Sequence, residues 1–189
     1  MTGKRSLKAF WRPRGGPDQA AALPPADPAA AFSLGTKLAE QGDVDAARPA
    51  LEQAMASKDP GYAPAAAFRL GLLLDQHGDD EGAKEAYRQA VNSGHREHSP
   101  IAACNIGHLY KRQARYRQAS SAYEIAIDSG HPDMAPWAMV YLGDLLSGYP
   151  NIGPARANYQ QALNSGHPEA ARQAAQRLAA LTRQPAAGR

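Results

Sequence analysis

The sequence predicts an all-α fold, an α-solenoid of four helix–turn–helix repeats closed by a C-terminal capping helix. Three observations predict it: an alanine-heavy composition, a 36-residue internal period, and apolar positions at helical spacing inside each period. Of 189 residues, 40 are Ala, while Val, Ile and Thr together number 11. Ala is the best helix former and β-branched residues build strands. Sheet-rich folds are therefore excluded, along with strand-based nucleotide and hydride-transfer folds.

The period runs without a single insertion. Prolines fall at Pro28, Pro64, Pro100 and Pro136, and glycines at Gly35, Gly71, Gly107 and Gly143. Alanines recur at Ala47, Ala83, Ala119 and Ala155, then at Ala54, Ala90, Ala126 and Ala162, with Leu51, Tyr87, Tyr123 or Tyr159 between them. Ser-Gly-His appears at 93–95, 129–131 and 165–167. Fixed self-similarity of this length marks a stack of supersecondary units, none of which can bury its apolar face alone.

The first unit spans 28–63. Its first helix is expected to open at Pro28, where a fixed φ and a missing N–H suit the first helical position, with Asp27 as N-cap. Leu34 and Leu38 lie one turn apart on its apolar face. Gly42-Asp43 makes the turn, and the second helix carries Ala47, Leu51 and Ala54. Pro49 lies inside that helix, where an interior proline costs about 3 kcal/mol, which predicts a late start near Ala46 or a kink. Lys58 stands where later units have a helix-closing glycine, a position whose left-handed conformation strains other residues.

The second unit, 64–99, repeats the plan with Leu70 and Leu74, a Gly78-Asp79 turn, and Ala83, Tyr87 and Ala90. Asp79, Asp80 and Glu81 gather at a helix start, where they complement the macrodipole. The third, 100–135, opens at Pro100 with Ser99 as the expected N-cap and carries Ile106 and Tyr110, then Ala119, Tyr123 and Ala126. The fourth, 136–167, carries Leu142 and Leu146, then Ala155, Tyr159 and Ala162. Residues 168–183 form the capping helix: Pro168 starts it, and Arg172, Gln173, Gln176, Arg177 and Arg183 wet its outer face. Residues 184–189 are expected to fray.

Residues 1–27 differ in kind. They hold Lys4, Arg5, Lys8, Arg12 and Arg14 against Asp18 and Asp27, whereas the remaining residues balance to zero. Proline and glycine interrupt any periodicity, so a basic, Pro-rich disordered tail is expected. No apolar signal core follows the charges, and no apolar run reaches membrane-spanning length. A cytoplasmic protein without membrane association is the expectation.

Candidate chemistry is sparse. The single cysteine, Cys104, excludes an intramolecular disulfide framework and a cysteine-rich zinc site. His95, His131 and His167 recur once per unit, so they form a ridge rather than a convergent ligand set, and a helix-joining or capping role fits them better than a metal. Cys104 with His108 one turn away would be the only nucleophile and base pairing, and a packed thiol is the better reading. Gly15-Gly16 is no phosphate loop. No catalytic residue, metal or cofactor is expected, and the chain is read as a non-enzyme. The tail cations interleave with Phe10 and Trp11, a pattern able to contact nucleic acid; this is the alternative reading.

The units resemble the tetratricopeptide repeat family over roughly residues 28–166. The Leu-Gly pair of that family matches Leu34-Gly35, Leu70-Gly71, Ile106-Gly107 and Leu142-Gly143, and its second-helix stripe matches the Ala-aromatic-Ala pattern. Its first-helix aromatic is replaced by Ala31, Ala67, Ala103 and Met139, and its late proline by His95, His131 and His167. Glycine-histidine before the first helix is also similar to Sel-one-like repeats. The resemblance implies a protein-interaction scaffold whose first helices line an inner groove that holds a peptide or helix of a protein partner. By register the groove would comprise Phe32 and Thr36, then Phe68, Arg69, Leu72 and Asp75. The third unit would add Cys104, Asn105, His108, Lys111 and Arg112, and the fourth Val140, Tyr141 and Asp144.

Overall fold

The computed structural model describes residues 27–183. The expectations for the tail at 1–27, Asp27 apart, and for the end at 184–189 lie outside the described residues. Within them the chain forms α1 (Pro28–Glu40), α2 (Val44–Ala56), α3 (Tyr62–Gln76), α4 (Asp80–Asn92), α5 (His98–Arg112), α6 (Tyr116–Asp128), α7 (Met134–Leu146), α8 (Gly153–Leu163) and α9 (Pro168–Arg183). No strand occurs among the described residues. Consecutive helices pack as antiparallel hairpins, as the period requires. The first helices α1, α3, α5 and α7 also abut from unit to unit, and α7 abuts α9. The backbones of the second helices α2, α4, α6 and α8 stand apart from one another, with Arg48 of α2 reaching Asp79, the cap of α4, at 3.2 Å. A stack whose inner helices meet while its outer helices splay is curved, with the first helices on the concave side. The capping helix α9 takes the place of a fifth first helix.

Each hairpin is held by a ring against a glycine. A Cβ added at Gly71, Gly107 or Gly143 would sit 2.4, 2.3 or 2.5 Å from the ring of Tyr87, Tyr123 or Tyr159. No real Cβ tolerates that approach, so the glycine lets the ring lie flat on the first helix. Those tyrosines and the flanking alanines Ala83, Ala90, Ala119, Ala126, Ala155 and Ala162 are fully buried. The sequence pattern Leu-Gly plus Ala-Tyr-Ala is thus one packing device read twice. In the first unit Leu51 covers Gly35 instead.

Turns between units share a second device. The hydroxyls of Ser57, Ser93, Ser129 and Ser165 donate to the carbonyls of Ala54, Ala90, Ala126 and Ala162, closing the second helix. Gly94, Gly130 and Gly166 then take φ of 63°, 63° and 83°, and Lys58 takes 55°. The predicted left-handed lysine is therefore present. Ala114 (φ 56°) is its counterpart at the hairpin turn, where Gly42 and Gly78 stand in the earlier units.

Several expectations need correction. Only α1 starts at its proline, capped by Asp27, whose carboxylate accepts from Ala29 N. The helices α3, α5 and α7 start two residues earlier, at Tyr62, His98 and Met134. Their prolines occupy the third position, where the N–H is still free of any helical partner. Ser99 is accordingly no N-cap; it lies inside α5 and its hydroxyl donates to Val91 O at 3.1 Å. Asp59, His95 and His131 do the capping. Asp59 Oδ1 accepts from Gly61 N and Tyr62 N, and His131 Nδ1 from Asp133 N and Met134 N. The helix α2 starts at Val44 rather than late, with Asp43 as cap, and runs through Pro49. Asp45, whose carbonyl would have received the missing N–H, is exposed, as is Pro49. Leu34 is 39% exposed, unlike its counterparts Leu70, Ile106 and Leu142, because no unit precedes it among the described residues.

Candidate functional site

The same glycine–tyrosine packing builds the concave floor. Tyr123 and Tyr159 reach past their glycines to the next residue of the first helix, the register of Thr36, Leu72, His108 and Asp144. The Tyr123 hydroxyl pairs with His108 Nδ1 at 2.9 Å, and the Tyr159 hydroxyl donates to Asp144 Oδ1 at 2.8 Å. Burial pushes the Tyr87, Tyr123 and Tyr159 hydroxyls far above the usual tyrosine range, so they act as neutral groups. Thr36 Oγ1 is buried without a hydrogen-bond partner.

Aromatic rings extend this floor into two clusters. Phe68 packs on Tyr87 at 6.2 Å between centroids and stacks on His98 at 5.6 Å; His98 stacks on His95 at 4.7 Å. Further along, His108 meets Tyr123 at 5.5 Å and Tyr141 at 4.6 Å. Trp137 stacks on Tyr141 at 6.0 Å and meets His167 edge-on at 6.1 Å. Phe32 contacts Tyr62 at 5.8 Å in the first unit. Phe32, Phe68, Leu72, Asn105, His108 and Tyr141 are all half-buried, offering rings and a polar amide to a visitor.

The charges divide into used and unused. Arg112 donates to Asp75 at 2.8 Å and Asp80 at 2.6 Å, joining two units, and Gln113 also donates to Asp80. Arg177 of α9 donates to Asp144 at 2.8 Å. These carboxylates are thereby occupied by the scaffold. Arg69 and Lys111 are exposed and have no ion pair among the described residues. His98 and His108 sit below the ordinary histidine pKa chiefly through burial, with Arg69 adding to the effect at His98 and Lys111 at His108. Both rings are therefore neutral near pH 7.

Of the residues expected on the groove, two are not at its surface. Cys104 and Val140 are only 2% and 3% exposed, because the period brings them against the neighbouring hairpin. Burial pushes the Cys104 thiol up to about 12, the reverse of an activated nucleophile. Asp75, Arg112 and Asp144 are bound into the scaffold network, while Phe32, Phe68, Arg69, Leu72, Asn105, His108, Lys111 and Tyr141 are accessible at least in part. Thr36 is half-buried. Sequence reasoning missed Tyr62 and Trp137, whereas His98 stands among the histidines, with His77 and His108, that the sequence assigns to the surface or the groove. The available signal for Tyr62 and Trp137 was their place in the first turn of a first helix, the registers of Met134 and Ile101; Tyr62 meets Phe32 of the preceding unit, and Trp137 meets His167 beside the capping helix.

The histidine ridge is made of caps, as expected. Nδ1 of His95, His131 and His167 accepts backbone N–H groups at the next helix start. The other nitrogen of His131 bonds Glu97 at 3.0 Å, and that of His167 lies 3.7 Å from Asp133. Successive turns are thus joined by imidazole–carboxylate links, and the bond to His131 holds the Glu97 carboxyl below its usual range. No cluster of three or more His, Cys, Asp or Glu able to hold a metal occurs among the described residues. No described helix is long and apolar enough to cross a membrane.

Comparison with known proteins agrees with this architecture. A tetratricopeptide repeat model matches residues 18–63 and 32–97, and a second tetratricopeptide repeat model matches 101–129, together more than half of the chain. Among solved structures the chain is similar to MamA (TM-score 0.63, 18% identity, covering 78% of this chain and 83% of that one). It is also similar to BtubC (BKLC) from P. vanneervenii (TM-score 0.64, 18% identity, 82% and 74%). A third is pilF of Pseudomonas aeruginosa (TM-score 0.60, 21% identity, 82% and 67%). At such identities the likeness concerns the fold alone. A search of curated proteins found no match.

Proposed function

The chain belongs to the tetratricopeptide repeat family, and on that premise we propose that it is a non-enzymatic protein-interaction scaffold that holds a partner's peptide or helix in its concave groove. One observation carries the reading: half-buried aromatic rings run along the first helices of all four units, while the carboxylates beside them are already paired. Rings of this kind desolvate readily and anchor a partner at little entropic cost. Arg69 and Lys111 stand free beside the two ring clusters to orient it. The buried Cys104 thiol supports a non-catalytic reading.

The test is a Phe68→Ala/Tyr141→Ala double variant, assayed by quantitative affinity capture of partners and by thermal melting. Partner recovery is expected to fall at least tenfold, as loss of two hot-spot rings implies, with the cooperative melt retained. Full recovery by the folded variant would move the docking surface off the concave side. The nucleic-acid alternative draws on Lys4, Arg5, Lys8, Arg12 and Arg14, outside the described residues, and nothing in the repeats favours it.

A further inference from the structure

Because the backbones of the second helices stand apart, the convex side carries furrows floored by first helices, and register makes two of them directly comparable. The furrow between α2 and α4 is lined by Glu52, Glu85, Arg48, Lys58 and Gln89 around Leu70 and Leu74. Its counterpart one unit on, between α4 and α6, has a volume of about 390 Å³. There Glu52 becomes Arg88, Glu85 becomes Ser121, Gln89 becomes Ile125 and Leu74 becomes Tyr110, 36 residues later in each case. No carboxylate lines this second furrow.

Its basic rim is organised around one ring. Arg88 donates to the Tyr110 hydroxyl at 3.1 Å, and Arg115 lies over the ring face, 4.8 Å from its centroid. Arg117, at the rim, is exposed and has no ion pair among the described residues, and Glu85 reaches Arg88 only at 3.9 Å. The floor is apolar, with Val91, Ile106 and Ala122, and Ile125 is 48% exposed. At the same register the other units have Gln53, Gln89 and Gln161. An exposed isoleucine beside an arginine without an ion pair, Arg117, is a costly surface to leave bare, and α4 and α6 flank it as parallel walls of 13 residues.

We propose that the convex furrow between α4 and α6 is a second docking site, which takes an acidic amphipathic protein segment. The segment's apolar side chains rest on Ile125 and Val91, and its carboxylates meet Arg88 and Arg117. Charge complementarity selects this occupant: the furrow has cations and an apolar floor but no acid. The proposal stands apart from the concave groove and does not depend on it.

The experiment uses the full chain and a fluorescein-labelled peptide of Glu and Leu at helical spacing, about four turns long to match α4. Counterparts carry Gln or Lys for every Glu, and parallel arms use a single-stranded DNA of equal charge and phosphatidylserine vesicles. Anisotropy is expected to show the Glu peptide binding at least tenfold tighter than the Gln peptide, with no binding of the Lys peptide. Ile125→Gln, which installs the residue of the other units at an exposed position, should weaken the Glu peptide about tenfold without changing the melting temperature. Arg88→Glu/Arg117→Glu should weaken it further, while Phe68→Ala/Tyr141→Ala leaves it unchanged. Equal affinity for the Glu and Gln peptides would overturn the proposal, as would insensitivity to Ile125→Gln. So would DNA or vesicles binding in an Arg88- and Arg117-dependent way as tightly as the Glu peptide.

Discussion

The first and third units share one register and differ in how well they satisfy it. In the third, Tyr123 covers Gly107, Gly130 takes the left-handed turn, and His131 caps the next helix while bonding Glu97. In the first, Leu51 covers Gly35, Lys58 is forced to φ 55°, and Asp59 caps alone. Leu34 also lacks the neighbour that Ile106 has. The backbone is nonetheless the same helix–turn–helix. A repeat's conformation therefore survives the loss of several of its own signatures when the next unit supplies a packing surface, which is the nearest-neighbour logic of a solenoid.

The largest test of that contrast adds a methyl to each glycine. Gly107→Ala places a carbon 2.3 Å from a rigid ring, whereas Gly35→Ala meets the flexible Leu51 side chain at 2.7 Å. Overpacking of this kind costs roughly 1–3 kcal/mol, so Gly107→Ala should reach about 3 and Gly35→Ala about 1. Paired thermal or denaturant melts measure both, and equal losses would break the contrast.

A smaller effect separates Thr36 from His108, which share a register. Burial lowers the folded-state pKa of His108 and of His98. The unfolded chain therefore binds more protons once pH drops below the ordinary histidine value of about 6.5. Their stabilising contribution is complete above that pH and is lost as pH falls toward the folded values. His108→Thr, which copies the first unit, should flatten the decline of melting temperature below pH 6.5 without abolishing it, since His98 remains. An unchanged profile would show that the His108 ring is not held neutral by its burial.

The smallest expected effect corrects the first unit. Lys58→Gly relieves a left-handed residue and should gain about 0.5–1 kcal/mol, the steric relief being partly offset by the added freedom of the unfolded chain. Gly130→Lys should lose a similar amount. A loss on Lys58→Gly would mean that the lysine side chain makes a contact worth more than its strain.

The stack itself was legible because identity at 36-residue spacing constrains both helices of every unit at once. Helix starts were less so. A proline suits the third helical position as well as the first; the histidine of Ser-Gly-His is readable as a cap, but which residue begins the helix after it is not. Period alone also assigned Leu34 the burial of Leu70, although burial requires a neighbour. Of the residues that register assigns to the groove, Phe68, His108 and Tyr141 are half-buried, whereas Cys104 and Val140 are buried. Their small side chains sit where adjoining hairpins close. Trp137 escaped because its exposure depends on the angle between units, which no single helix encodes.

Each second helix packs on the first helix of the next hairpin, and the first helices also meet one another, whereas the second helices stand apart; a change in the arc of the stack would therefore act on both of its sides. Tightening the arc narrows the trough inside and spreads the gaps outside; straightening does the reverse. A body wedged into an outer gap would act as a spacer that sets the arc.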